Sequence, residues 1–231
     1  GHENVLAVTA TGLIHADSET AAARNIAAHL GVELVEVDMT DCAEEDILSN
    51  PPDRCYHCKR YIFSQVVEIA TRRNVSAVAS GTNADDLGDY RPGLVAEKEL
   101  QILRPFLEAN FTKSDIRALA ARFDLAALAN KASAACLASR IPYHTRLTPE
   151  ALRRVELAEA TLASLGLTPC RCRDHHPVAR IELPPELFHK ATLLRDMLRE
   201  KLTDLGYTYI TLDLAGLQTG SLNMLLQKDM S

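Results

Sequence analysis

Two thiols three residues apart, in Cys55-Tyr56-His57-Cys58, are the side chains of this sequence best suited to chemistry. The spacing predicts a helix over about residues 55–72, opened by Pro52 and Asp53, so both sulfurs fall where free N–H groups and the helix dipole favour thiolate over thiol. Such a pair holds a soft metal but does not complete a site. Cys136, in the small-residue segment Ala134-Ala135-Cys136-Leu137-Ala138-Ser139-Arg140, is the candidate third ligand, and Ser139 and Arg140 set a donor and a cation beside it. Ordinary buried cysteines or a zinc site are the alternatives. Cys42 reads as structural. A second constellation follows the short apolar strand expected at 75–80: Gly81-Thr82-Asn83-Ala84-Asp85-Asp86, with Asp89. Acids at a strand's carboxyl end suit Mg²⁺, which takes oxygen ligands and bridges to substrate phosphates; capping and turn formation is the competing reading. In Cys170-Arg171-Cys172-Arg173, strand alternation sends the cysteines to one face as core and the arginines to the other. With Arg180, after the His175-His176-Pro177 turn, those arginines offer several guanidinium forks to a phosphate or carboxylate, or else form a solvated charged face. No Ser-His-Asp signature, Walker lysine loop or HExxH occurs.

The elements that position these residues follow from periodicity. Apolar β-branched runs at 5–10 and 32–37 flank helical spacing over 18–30, a β-α-β unit, and a polar stretch through Asp41, Glu44 and Glu45 to Asn50-Pro51-Pro52 reads as a loop. Thr112-Lys113-Ser114-Asp115 is a capping box opening a helix that Ile116, Leu119, Ala120 and Phe123 continue. From about Thr148 the rhythm changes to a long helix to 165, strands at 169–173 and 178–183, a helix over 185–205 and a strand at 207–212. The expected fold is α/β: a parallel sheet with helices on both faces over residues 1–146, followed by a smaller α+β unit over 147–231.

Composition excludes several classes. The 231 residues are 47% hydrophobic and 24% charged, as in ordinary globular proteins rather than disordered or fibrous chains. Twenty-five Lys and Arg against 31 Asp and Glu give a net charge of −6, with no broad basic footprint for nucleic acid or an acidic membrane surface. No window approaches the roughly 20 apolar residues of a spanning helix, and no basic-then-apolar leader opens the chain. The sequence reads as cytoplasmic, its six cysteines too few for a disulfide scaffold.

Taken in order, Pro51-Pro52-Asp53-Arg54-Cys55-Tyr56-His57-Cys58-Lys59, Gly81 to Asp86, Asp89-Tyr90-Arg91-Pro92-Gly93, Cys136 to Arg140 and Leu212-Asp213-Leu214-Ala215-Gly216 resemble the sulfur-transferase branch of the PP-loop ATP pyrophosphatase (ExsB-like) family. Each motif alone is weak; the ordered set, spanning nearly the whole chain, is specific. The resemblance implies a PP-loop domain and an ATP-dependent reaction. A carboxylate of a pyridinium biscarboxylate mononucleotide is adenylated, pyrophosphate leaves, and a protein-held sulfur gives the thiocarboxylate of a nickel-pincer cofactor precursor. It implies ATP and Mg at Gly81, Thr82, Asn83, Asp85 and Asp86, substrate at Arg171, Arg173 and Arg180, and catalysis at Cys136, Ser139 and Arg140. Cys55, Cys58 and Cys136 together resemble the members that carry a [4Fe-4S] cluster with one iron open to sulfide. It also implies a homo-oligomer, plausibly a hexamer. The family's SGGxDS phosphate loop does not occur in this sequence, which starts at the match to the fold's second strand. On typical element and loop sizes, about 30 to 40 residues carrying that strand and loop are expected upstream. Another PP-loop ligase, thiolating tRNA or amidating, and a non-catalytic metal- or nucleotide-binding protein are the competing functions; the acidic balance counts against tRNA.

Overall fold

The computed structural model describes residues 1–42, 44–88, 91–125 and 135–218. The chain divides into two compact units: Gly1–Gly12, Asp17–Cys42 and Asp53–Ala134 form the first, and Leu13–Ala16, Ala43–Pro52 and Ala135–Ser231 the second.

The first unit opens with β1 (Leu6–Thr11), α1 (Asp17–Leu30) and β2 (Glu33–Asp38). The two strands pair in parallel, Leu6 opposite Glu33 through Thr11 opposite Asp38, which requires the crossover that α1 supplies. Asp17 and Glu19 in the first turn of α1 and His29 in its last complement the helix dipole. The long α3 (Arg54–Arg72) follows, then the short helices α4 (Gly93–Glu99) and α5 (Pro105–Glu108), and α6 (Lys113–Arg122). The capping box expected at Thr112 is present, with Thr112 and Asp115 each accepting the other's backbone N–H.

The strand expected at 75–80 is not formed. Val75 N–H is drawn back to Ala70 O (2.8 Å), closing the end of α3. What remains is an isolated parallel bridge between Ala79 and Leu103, with bonds from Leu103 N to Val78 O and from Ser80 N to Leu103 O at 2.9 Å each. Apolar β-branched residues favour extension, but only a neighbouring ladder makes a strand.

In the second unit a short helix, α2 (Glu45–Leu48), interrupts the stretch expected to be loop, with Glu45 and Asp46 in its first turn and Ile47 buried. α7 (Pro149–Ser164) starts on Thr148, whose side chain accepts from Ala151 N (3.2 Å). β3 (Arg171–His175) and β4 (Val178–Glu182) form an antiparallel hairpin, and β5 (Tyr209–Leu212) joins β4 in parallel, giving the order β3-β4-β5. The helix expected over 185–205 is divided into a 3-10 turn (Pro185–Leu187), α8 (Phe188–Leu193) and α9 (Arg195–Asp204). The break falls at Leu194, whose N–H is shared between Lys190 O (3.1 Å) and Ala191 O (3.2 Å). That tightened turn redirects the chain so that Leu198 and Leu202 enter a core with Leu162, Cys172, Ile181 and Tyr207. Among the described residues no helix is long and apolar enough to cross a membrane.

Candidate functional site

Cys55 lies in the first turn of α3 and Cys58 at the start of the second, at the i, i+3 spacing that puts side chains on neighbouring positions of one helix face. Cys55 is exposed, Cys58 is buried, and neither is in a disulfide. Asp53 stands at the N-cap, but its side chain does not cap the helix; it meets His57 Nε2 at 3.3 Å instead. A guanidinium nitrogen of the buried Arg54 lies 4.0 Å from Cys55 Sγ, so a cation and a helix N-terminus both favour negative charge on the sulfur. Gly93, at the start of α4, sits where a Cβ would fall 2.6 Å from Lys59 Cδ and 3.3 Å from Cys55 O. Only a glycine admits so close an approach of α4 to the cysteine turn.

The loop from Gly81 and the 3-10 turn Ala84–Gly88 hold the second group of expected residues. Asp86 is buried; one carboxylate oxygen accepts from Asn83 N (3.1 Å), and the other faces Arg91 (3.0 Å) and Lys113 (3.6 Å). Asp85 accepts from Lys113 N (2.9 Å) at the start of α6, the role the capping alternative describes. Asp89 lies outside the described residues. Gly81, Thr82 and Asp86, with Lys59 and Arg91, line a cavity of about 480 Å³ whose apolar lining comes from β1, α3 and residues 75–79. Glu97 of α4, fully buried, accepts from Thr82 Oγ1 at 2.9 and 3.0 Å and forms an ion pair with Lys59. Lys59 and Glu97 were not among the residues singled out by type and spacing. Their signal is the Gly93, Ala96, Glu97 face of α4, small residues beside an acid, which marks a close helix contact and not a solvated stripe.

In the second unit, Cys136 stands at the start of the 3-10 turn Leu137–Arg140, and Leu137 N donates to Ile14 O (2.9 Å). Ser139 Oγ donates to Cys136 O (2.8 Å). Arg140, buried, forms a two-pronged pair with Glu159 (2.8 and 3.1 Å) and also donates to Ala135 O (2.6 Å) and Cys136 O (3.2 Å). Both residues thus shape the Cys136 turn through its backbone.

Of the arginines expected to offer guanidinium forks to a phosphate or carboxylate, or else to form a solvated face, only Arg173 is fully covered. Arg173 is 2% exposed and forks onto Glu182, itself 0% exposed, at 2.9 and 2.8 Å, while its third nitrogen donates to Ser139 O (2.6 Å). Arg180 is taken by Asp213 (2.6 Å) and Glu182 (3.2 Å). Arg171, half-buried, makes no ion pair among the described residues; burial, then its neighbours Arg140 and Arg173, push its guanidinium below the usual value. Its surroundings therefore favour an anion. Cys172 is core, and Cys170 packs against that core. Burial pushes both thiols up to about 12, which makes them inert.

Among the described residues no three His, Cys, Asp or Glu side chains assemble into a metal site. The donor chemistry at Cys55 and Cys58 fits two thiolate ligands of a soft metal, and the third expected thiol, Cys136, belongs to the second unit. Asp86, held against two cations, fits a place where Mg²⁺ would arrive with phosphates rather than one where protein ligands alone retain it.

No protein-family model matches the chain. It is 36% identical over 228 residues, 99% of this chain and 82% of the other, to the pyridinium-3,5-bisthiocarboxylic acid mononucleotide synthase of Lactiplantibacillus plantarum. It is also 34% identical to an uncharacterized protein of Synechocystis over 98% of this chain and 85% of that one. A third relative, an uncharacterized protein of Methanocaldococcus jannaschii, is 28% identical over 80% of this chain and 69% of its own length. With that identity across its full extent, the chain belongs to the pyridinium-3,5-bisthiocarboxylic acid mononucleotide synthase (LarE) family.

Proposed function

We propose that this protein is an ATP-dependent sulfur transferase acting on pyridinium-3,5-biscarboxylate mononucleotide. The observation that carries the reading is the 36% identity over 99% of the chain to a protein named for making the bisthiocarboxylic product. A carboxylate is a poor electrophile, so its oxygen attacks the α-phosphorus of ATP, pyrophosphate leaves, and the resulting acyl-adenylate carries AMP as a good leaving group. A sulfur nucleophile then attacks the acyl carbon and AMP departs, leaving the thiocarboxylate. Gly81, Thr82, Asn83, Asp85 and Asp86 take ATP with its Mg²⁺ in a PP-loop type domain. Arg91 and Lys113, the cations gathered at Asp86, are the side chains that would meet triphosphate charge.

Cys55, Cys58 and Cys136 are the proposed ligands of a [4Fe-4S] cluster, which when bound supplies a sulfide from its open iron. Ser139 and Arg140 hold Cys136 in its turn. Arg171 receives the mononucleotide phosphate, while Arg173 and Arg180 shape that face from behind, tied to Glu182 and Asp213. The enzyme works in the cytoplasm as a homo-oligomer, a hexamer in our reading, without nucleic acid. Its PP-loop domain spans residues 1–146 and its α+β substrate and oligomerisation domain 147–231.

Anaerobic purification followed by iron and acid-labile sulfide assays tests the cluster. Brown protein with near-stoichiometric iron and sulfide, lost in Cys55→Ser, Cys58→Ser and Cys136→Ser and kept in Cys170→Ser, is the expected result. Zinc in place of iron, or a chromophore that survives Cys136→Ser, would overturn it.

A further inference from the structure

Within the first unit one polar chain joins the cysteine turn to the nucleotide loop. Lys59 follows Cys58 directly and lies four residues after Cys55, on the same helix face. Its ammonium is held by Glu97, and the Thr82 hydroxyl donates its one proton to the same carboxylate, lying 2.9 and 3.0 Å from its two oxygens. Thr82 Oγ1 in turn accepts from Ser80 Oγ (3.2 Å). Two side chains from separate segments, Lys59 and Thr82, therefore share one carboxylate that is 0% exposed, although Lys59's own side chain is 37% exposed and lines the cavity. A buried charge is costly unless it is paired and hydrogen-bonded, and here every partner comes from the two sites that the proposed reaction must coordinate. The missing side chain at Gly93 keeps α4 close to this chain, since a Cβ there would fall 2.6 Å from Lys59 Cδ.

We infer that Glu97 is a positioning residue that couples the Cys55–Cys58 turn to the Gly81–Asn83 loop, so that a metal on the cysteines and a nucleotide at the loop alter each other's affinity. The inference rests on the proposed function above. Neither Lys59 nor Thr82 can move onto a ligand without changing its bond to Glu97, and the displaced bond is felt by the other. Coupling of this kind is reciprocal: the factor by which nucleotide changes metal affinity equals the factor by which metal changes nucleotide affinity.

The test uses Co²⁺ as the metal probe, read by its thiolate charge-transfer absorbance, and titrates the anaerobic protein with and without Mg·ATP; ATP affinity is measured by calorimetry with and without Co²⁺. The expected result is a change of about fivefold or more, equal in both directions, in the unaltered protein. Glu97→Gln keeps the side chain's volume and should bring the factor close to one while each ligand still binds alone. Thr82→Val, in the proposed ATP loop, should weaken Mg·ATP binding itself, but it cuts the link while leaving the Lys59–Glu97 pair and so should also bring the factor close to one. Glu99→Gln, which loosens only the Tyr56 contact between the same two helices (2.9 Å), should leave the factor unchanged. Coupling that survives both Glu97→Gln and Thr82→Val, or that is absent from the unaltered protein although both ligands bind, would overturn the role of Glu97 alone. Failure of the unaltered protein to bind Mg·ATP or to show Co²⁺–thiolate absorbance would overturn it together with the proposed function.

Discussion

Arg173 was expected to face a ligand, and it is instead locked beneath the surface, so removing it should register first in stability. Arg173→Ala deletes two charge-assisted bonds to Glu182 and one to Ser139 O, and strands a carboxylate that is 0% exposed. Breaking a buried pair by removing one partner costs about 3–5 kcal/mol. Arg180 still reaches Glu182 at 3.2 Å, which places the loss near the lower end, about 3 kcal/mol. For a chain of this length each kcal/mol moves the midpoint by about 2–4 °C, so thermal unfolding followed by circular dichroism should fall by about 6–12 °C. The double replacement Arg173→Met with Glu182→Leu removes both charges together and should recover most of that loss, because an apolar pair of similar volume avoids the desolvation cost. A drop below about 1 kcal/mol for Arg173→Ala, or a double variant as unstable as the sum of its singles, would mean that the buried Arg173–Glu182 pair is not what holds this face together.

Arg171→Ala, by contrast, should leave the unfolding midpoint nearly unchanged while weakening mononucleotide binding in calorimetry by about ten- to a hundredfold, the value of one charge-assisted contact. Thiol labelling at pH 8 should modify Cys55 rapidly and spare Cys170 and Cys172, whose burial holds them protonated up to about 12; the three should react alike once the protein is denatured. The same raised values mean that the folded state retains protons the unfolded chain gives up, so urea titrations should show stability falling as pH rises above the ordinary thiol range toward 12. Thr112→Ala removes the capping box of α6 and should cost about 1 kcal/mol by urea denaturation.

Local signals proved legible. The start of α3, the capping box at Thr112, the β-α-β opening and the core position of Cys172 each follow from a few neighbouring residues. Features decided by distant partners were not. The extended residues 78–80 are apolar enough for a strand, yet among the described residues only Leu103 pairs with them. Leu194 interrupts a helical pattern without a glycine or proline to mark it, because the bend serves the packing of Leu198 and Leu202. Alternation correctly turned Arg173 away from Cys172, but it carries no information on what covers the second face. Glu182, nine residues on, reaches Arg173 only through the hairpin register. Glu97 reads in sequence as one more helix-surface acid until α4 is seen against Lys59.

We propose that this protein replaces a carboxylate oxygen by sulfur at the expense of ATP. The direct measurement is anaerobic incubation of the iron- and sulfide-loaded protein with pyridinium-3,5-biscarboxylate mononucleotide and Mg·ATP, with mass spectrometry of the nucleotide and assay of pyrophosphate. The expected product is heavier by one sulfur-for-oxygen exchange, formed with matching pyrophosphate release and absent without ATP. Substrate recovered unchanged while ATP is still cleaved, or sulfur insertion that proceeds without ATP, would contradict it.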